Sequence, residues 1–289
     1  MHNYTREGAQ GYTSFNEIIA KGYGEQQSAK EFAELAPWVN YDGHRSLFES
    51  RSLNRKGLLM WMSHPCWPSM VWQTYDYYFE PTAAYFAIKK ASEPLHIQWN
   101  PATDEVEVVN YSGGMRKGLT AKAQLLNMNA SVVWEKEATV DSHEDTTDKC
   151  IRLEFPSDLS KVHFIKLTLT ENGAVVSENF YHRSLEENNY QALRELPKVK
   201  LLPAIDTRKD PDGIWHATVT VENTTATPAL MIRVNVNGKK DGLQFLPVFY
   251  SDNYIALLPG EKKTVNIRWK DEDTRGNTPK VRLSGYNVE

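Results

Sequence analysis

Close to Glu93-Pro94 the spacing of apolar residues changes from three-and-four to two, so no single class of secondary structure can serve the whole chain. Before the break, Phe32, Leu35 and Val39 share one helical face behind Ser28-Ala29-Lys30-Glu31. That is the Ser-x-x-Glu form of a capping box, in which the hydroxyl takes an orphan amide and the carboxylate reaches back. Ser14-Phe15-Asn16-Glu17 repeats the device ahead of Ile18 and Ile19. Pro37 either kinks the second helix or occupies the first turn of one that starts later. Pro81 to Lys90 predicts a third helix, with proline at its first position. Between these signals, Gly57 to Met62 is an unbroken apolar run, which predicts a strand buried on both faces as in a helix-covered parallel sheet.

After Pro94 alternation takes over. Leu95, Ile97 and Trp99 alternate with His96 and Gln98, Val106 and Val108 with Glu105 and Glu107, and Phe164, Leu167 and Leu169 mark another strand. Turn signals such as Ser112-Gly113-Gly114 and Glu171-Asn172-Gly173 give about seven strands by Tyr181, the make-up of a β-sandwich. A polar connector, Arg183 to Leu196, leads to a second set at Leu201–Ile205, Trp215–Val221, Ala229–Val236, Leu246–Tyr250, Val265–Trp269 and Val281–Tyr286. This predicts a second immunoglobulin-like sandwich.

The net charge of −4 over 289 residues carries no basic block, which argues against a nucleic-acid partner. No window approaches the roughly 20 apolar residues of a membrane span, so no membrane partner is expected. Met1 to Glu7 has neither the basic nor the apolar region of a signal peptide; an upstream segment bearing one would make the protein periplasmic or secreted. Cys66 and Cys150 form no CxxC and have no His cluster beside them, so neither a metal nor a disulfide framework is expected, and no cofactor motif occurs.

Nine aromatic residues crowd into positions 61–86. Loops at the carboxyl ends of parallel strands form ligand sites, and flat rings with polar edges suit sugars. Trp61, Trp67, Trp72, Tyr75, Tyr77 and Tyr78 are therefore candidate stacking surfaces; the alternative is that the rings are core. His64 and Asp76 are candidates to contact a sugar hydroxyl, unless His64 stabilises its loop and Asp76 accepts amides within its own. Glycoside hydrolysis ordinarily needs two carboxylates on different strand ends. Here the one barrel-type strand ends without an acidic residue, and no nucleophile elbow, phosphate loop or HExxH occurs.

GLLMWMSHPCWPS over 57–69, WQTYDYY over 72–78 and KKASEPLHIQ over 89–98 resemble the last barrel strand and following helix of glycoside hydrolase family 2. The likeness is to its exo-β-D-glucosaminidase and endo-β-mannosidase branch. FAELA at 32–36, VNY at 39–41 and RSLFE at 45–49 are similar to that branch's preceding barrel helix, and LPVFYSDNY at 246–254 with LLPGE at 257–261 to its terminal immunoglobulin-like domain. The resemblance implies a mainly β fold, with two immunoglobulin-like β-sandwiches (94–190 and 191–289) preceded by a partial (β/α)8-barrel segment (1–93). It implies a retaining β-glycosidase acting on β-glucosaminide or β-mannoside linkages, with both catalytic glutamates on earlier barrel strands than those present, so that the chain alone is expected to be inactive. Trp61 matches the tryptophan that floors the sugar subsite, His64 falls where relatives often carry Asn, and Pro37 replaces a helical residue. The implied partners are an oligosaccharide substrate and the N-terminal remainder of the enzyme. The alternative is a non-catalytic carbohydrate-binding or structural module that braces a barrel on another chain, or a homodimer that covers the partial barrel's exposed face.

Overall fold

The computed structural model describes residues 15–50, 57–70 and 73–289. Among the described residues, three α-helices, α1 (Phe15–Tyr23), α2 (Ala29–Glu49) and α3 (Ala83–Ala91), precede fourteen strands. The cap at Ser28 forms as its sequence predicts: its hydroxyl accepts the Glu31 amide at 3.2 Å, and the Glu31 carboxylate takes the Gln27 amide at 2.8 Å. The corresponding box at Ser14 lies outside the described residues. α2 starts at Ala29 and runs through Pro37 for 21 residues, which excludes the later start. Proline removes one helical hydrogen bond, but Phe32, Leu35, Ala36 and Trp38 are all buried around it, and tertiary packing outweighs that local loss.

The predicted strand at Gly57–Met62 does not form. The segment is irregular, with Leu59 fully exposed and Trp61 81% exposed. A strand of that composition is stable only between parallel neighbours that satisfy its amides and cover both faces. Among the described residues every sheet is built from positions 95–284 and every strand pairing is antiparallel, so the run has nothing to join.

The alternating half folds as two-layer units. In the first, β1 (Leu95–Asn100), β2 (Glu105–Asn110) and β5 (Thr146–Arg152) lie in the order β1-β2-β5, and β3 (Arg116–Asn127), β4 (Val132–Ser142), β6 (Val162–Glu171) and β7 (Ala174–Ser184) in the order β4-β3-β6-β7. Their inward positions, Ile97, Val106, Val108, Leu119, Leu125, Ile165 and Leu167, make one core. In the second, β8 (Ala204–Lys209), β9 (Ile214–Glu222), β11 (Val248–Tyr250) and β13 (Lys262–Lys270) pair as β11-β13-β9-β8, facing β12-β10-β14, with β10 Ala229–Gly238, β12 Ile255–Leu257 and β14 Pro279–Ser284. Val219, Ile232, Val234, Val265, Ile267 and Trp269 fill it. Several boundaries move from their predicted places, two of them for a clear reason. Leu201 is buried just outside a strand while the exposed edge strand β8 starts at Ala204, and Pro247, which has no amide to donate, precedes β11.

A third apolar cluster positions the candidate site. Ile19, Phe32, Leu35 and Trp38 from the helices pack with Phe164 of β6, Leu193, and Leu230 and Met231 of β10, so the helical part is seated against both sandwiches. No described helix is long and apolar enough to cross a membrane.

Candidate functional site

The aromatic segment is ordered by its own backbone. Tyr75 and Pro81 form an antiparallel bridge, the Asp76 amide donates to Glu80 O at 3.0 Å, and Phe79 turns the chain with a positive φ of 68°. Asp76 Oδ1 accepts the amides of Tyr78 at 2.8 Å and Glu80 at 2.9 Å. Asp76 thus has the turn-forming role left open by the sequence. His64 likewise secures its loop: Nε2 lies 3.2 Å from Tyr77 O and the ring stacks on Phe79, 4.1 Å between centroids and 9° from parallel. The Tyr75 amide donates to Ser63 O at 3.0 Å, which ties this loop to the segment that carries Trp61 and His64.

Beside the loop lies a cleft of about 410 Å³, walled by α2 at Pro37 and Asn40, by Tyr75, Asp76, Tyr77 and Tyr78, and by Arg233 and Tyr254 of the second sandwich. Of the five predicted site residues, Tyr75 and Asp76 line this cleft. His64 supports the loop from the outside, and Trp61 and Trp67, 81% and 41% exposed, project from the neighbouring segment without lining it. Trp72 lies outside the described residues. The tyrosine rings and the half-buried carboxylate form an amphipathic wall, with flat apolar faces and polar edges in one place.

Sequence reasoning missed Glu80. It is buried at the base of the loop, where Arg233 pairs with it, Asn235 Nδ2 donates at 2.8 Å and Gln244 Nε2 donates as well. Burial holds its carboxyl above the ordinary range, and Arg233 and Asn235 pull the other way. An acidic residue inside an aromatic run was the available signal, but its three donors come from residues more than 150 positions away. Pro81, expected at the first helical position, instead bridges Tyr75, and the helix starts at Ala83 behind Thr82. The unbridged Cys150 is no nucleophile, because burial pushes its thiol up to about 12. Among the described residues no group of His, Cys, Asp and Glu could hold a metal ion.

A second polar centre joins α2 to the first sandwich. Glu49 Oε1 accepts from Asn179 at 2.8 Å and Tyr181 at 2.9 Å and lies 3.2 Å from His96 Nε2, while His96 Nδ1 lies 3.1 Å from Glu93. Burial disfavours the His96 charge, but hydrogen bonds to Glu49 and Glu93 prevail and hold its pKa above the ordinary 6.5. Burial also works against the Glu93 carboxylate, yet His96 and Lys90 hold it down to about 2. A raised histidine stabilises the fold fully below its unfolded value and loses that contribution as pH rises through the folded one. The stability advantage of the wild type over His96→Gln should therefore be largest near pH 5.5 and shrink towards pH 9, in denaturant titrations kept above the window in which Glu93 titrates. An advantage that grows with pH would contradict this assignment.

Residues 179–288 match the family described as the exo-β-D-glucosaminidase Ig-fold domain. An exo-β-D-glucosaminidase of Streptomyces avermitilis is 31% identical, over 95% of this chain and 34% of its own length. A mannosylglycoprotein endo-β-mannosidase of Lilium longiflorum is 26% identical over 92% of this chain and 34% of its own. The crystal structure of the Amycolatopsis orientalis exo-chitosanase CsxA superposes with a TM-score of 0.89 at 28% identity, covering 96% of this chain and 36% of that one. Residues 179–288 are thus an exo-β-D-glucosaminidase Ig-fold domain, and over nearly its whole length the chain is similar to exo-β-D-glucosaminidases and β-mannosidases. It spans about a third of the length of the relatives it matches. The likeness read from the sequence motifs therefore holds, and with it the mainly β architecture with an immunoglobulin-like terminal domain. The helices and aromatic segment before Pro94 fall inside the matched region, since the superposition covers nearly the whole chain.

Proposed function

We propose that this chain is the C-terminal portion of a retaining β-glycosidase that hydrolyses β-glucosaminide or β-mannoside linkages, with both catalytic glutamates supplied by polypeptide outside these 289 residues. Positions 1–93 are the end of its barrel, and 94–190 and 191–289 are accessory sandwiches. Trp61, His64, Trp67, Tyr75 and Asp76 belong to the wall of the sugar site, Trp61 as a stacking floor and the others holding or extending it. The observation that carries this reading is the exposed apolar run with Leu59 and Trp61 open to solvent, tied through Ser63 to the loop that lines the tyrosine cleft and lacking the parallel neighbours its composition calls for. Retention would need the two missing carboxylates about 5 Å apart on one barrel rim, facing that wall.

The test is hydrolysis of aryl β-D-glucosaminide and β-D-mannoside by this chain alone and after co-expression with the N-terminal two thirds of a relative such as the Amycolatopsis exo-chitosanase. Turnover only in the combined sample is the expected result; robust turnover by the chain alone would overturn the placement of the carboxylates. A second reading, a non-catalytic brace for a barrel on another chain, draws on the shared core that packs the helices onto both sandwiches. It predicts tight association in the same experiment without any effect of Trp61 on turnover.

A further inference from the structure

We infer that the second sandwich, through Arg233, Asn235 and Gln244 acting on Glu80, sets the geometry of the aromatic loop 75–79, which makes Arg233 and Glu80 positioning residues for the sugar wall. The loop's turn is closed by Asp76 and the Tyr75–Pro81 bridge and touched on one side by Ser63 and His64, but Tyr77, Tyr78 and Phe79 at its tip are still 41%, 60% and 65% exposed. Such a loop has little buried apolar surface of its own and opens readily unless its base is fixed. Glu80 is that base: its amide donates to Asp76 and its carbonyl accepts from Asp76, so displacing Glu80 displaces the turn.

The carboxylate is only 6% exposed and is held by one guanidinium and two amides, all from β10 or the residues leading to β11. General adhesion between the helical part and this sandwich has other sources. Phe86 of α3 packs edge-on to Tyr250 and against Tyr254, and Leu230 and Met231 join the helix core. The Glu80 cluster is therefore free to act on the loop in particular. Arg233 also forms the far wall of the cleft whose near wall is Tyr75, Tyr77 and Tyr78, so one side chain both fixes and faces the site. A charge-assisted, desolvated pairing of this kind fixes direction as well as distance, which suits a residue that aims others.

The inference rests on the sugar-site reading for its purpose, but its test on the isolated chain does not. In Arg233→Ala and Glu80→Gln, hydrogen exchange of the amides at 76–80 should rise at least tenfold while β9 and β13 exchange as in the wild type, and Arg233→Lys should recover most of the protection. Unchanged exchange at 76–80, or an equal rise throughout the second sandwich, would overturn the inference. In the combined sample that turns over glycoside, Arg233→Ala should raise KM about tenfold with kcat within twofold, a split that simple loss of stability would not produce; unchanged KM with a loosened loop would overturn the positioning role. If the wild-type combination shows no turnover while the exchange result stands, the glycosidase reading fails and the clamp survives.

Discussion

Glu49→Ala should cost about 3–5 kcal/mol of folding stability, the range seen when one partner of a buried charged network is removed. Glu49 is 6% exposed, and its Oε1 is the meeting point of Asn179, Tyr181 and His96. Truncation would leave the Asn179 amide and the Tyr181 hydroxyl with fewer acceptors, and the His96 ring with one carboxylate instead of two. Water cannot readily replace the loss, since His96 is 1% exposed and Asn179 4%. Arg45, stacked 4.1 Å over the Tyr181 ring and donating to Asn179 Oδ1 at 3.1 Å, would lose its aligned partners as well. At about 2–4 °C per kcal/mol for domains of 150–250 residues, the first thermal transition should fall by roughly 10 °C. The control is Glu135→Ala, which removes the exposed pairing with Lys122 at 3.0 Å and should cost under about 1 kcal/mol. A loss of the same small size for Glu49→Ala would show that the network does not hold α2 to the first sandwich.

Trp61→Ala should leave stability unchanged and lower kcat/KM for aryl β-glycosides roughly 100-fold in the combined, active sample. At 81% exposure the indole contributes almost nothing to the folded chain, so truncation removes little buried surface. If the ring floors a sugar, covering its face removes on the order of 100 Å² of apolar area from water, about 2.5 kcal/mol, to which aromatic stacking adds about 0.5 kcal/mol or more. A total near 3 kcal/mol is roughly a 100-fold change in kcat/KM. Trp61→Phe should recover part of it. A variant with wild-type kcat/KM would remove Trp61 from the sugar site, and a variant with a lowered melting temperature would mean that the indole serves the fold.

These expectations draw unequally on sequence and structure. Most strands were legible, though not the short β12, because a strand with one face in a sandwich core alternates apolar with polar residues: Leu95, Ile97, Val106 and Val108 enter that core, while His96, Gln98 and Glu107, buried on the opposite face, do not. The Ser28 cap was legible for the same reason, since donor and acceptor lie three residues apart. The run Gly57–Met62 was read as a buried strand because its composition demands cover on both faces; that demand is local, but the cover is not, and without it the segment stays exposed. Asp76 and His64 could be named as polar groups in an aromatic loop, but whether they faced ligand or backbone depended on the path of the turn.

The sequence by itself determined where helices give way to sandwiches, which segment gathers the aromatic rings, and which glycosidase branch the chain resembles, because each of these is written in short-range spacing or in contiguous motifs. Only the tertiary structure decided that Glu80 is tied to Arg233, Asn235 and Gln244, and that Glu49 collects its partners from β1 and β7. Those partners stand 47 to 164 positions away. A buried carboxylate must find donors wherever the packed elements bring them, and a linear pattern carries no record of that requirement.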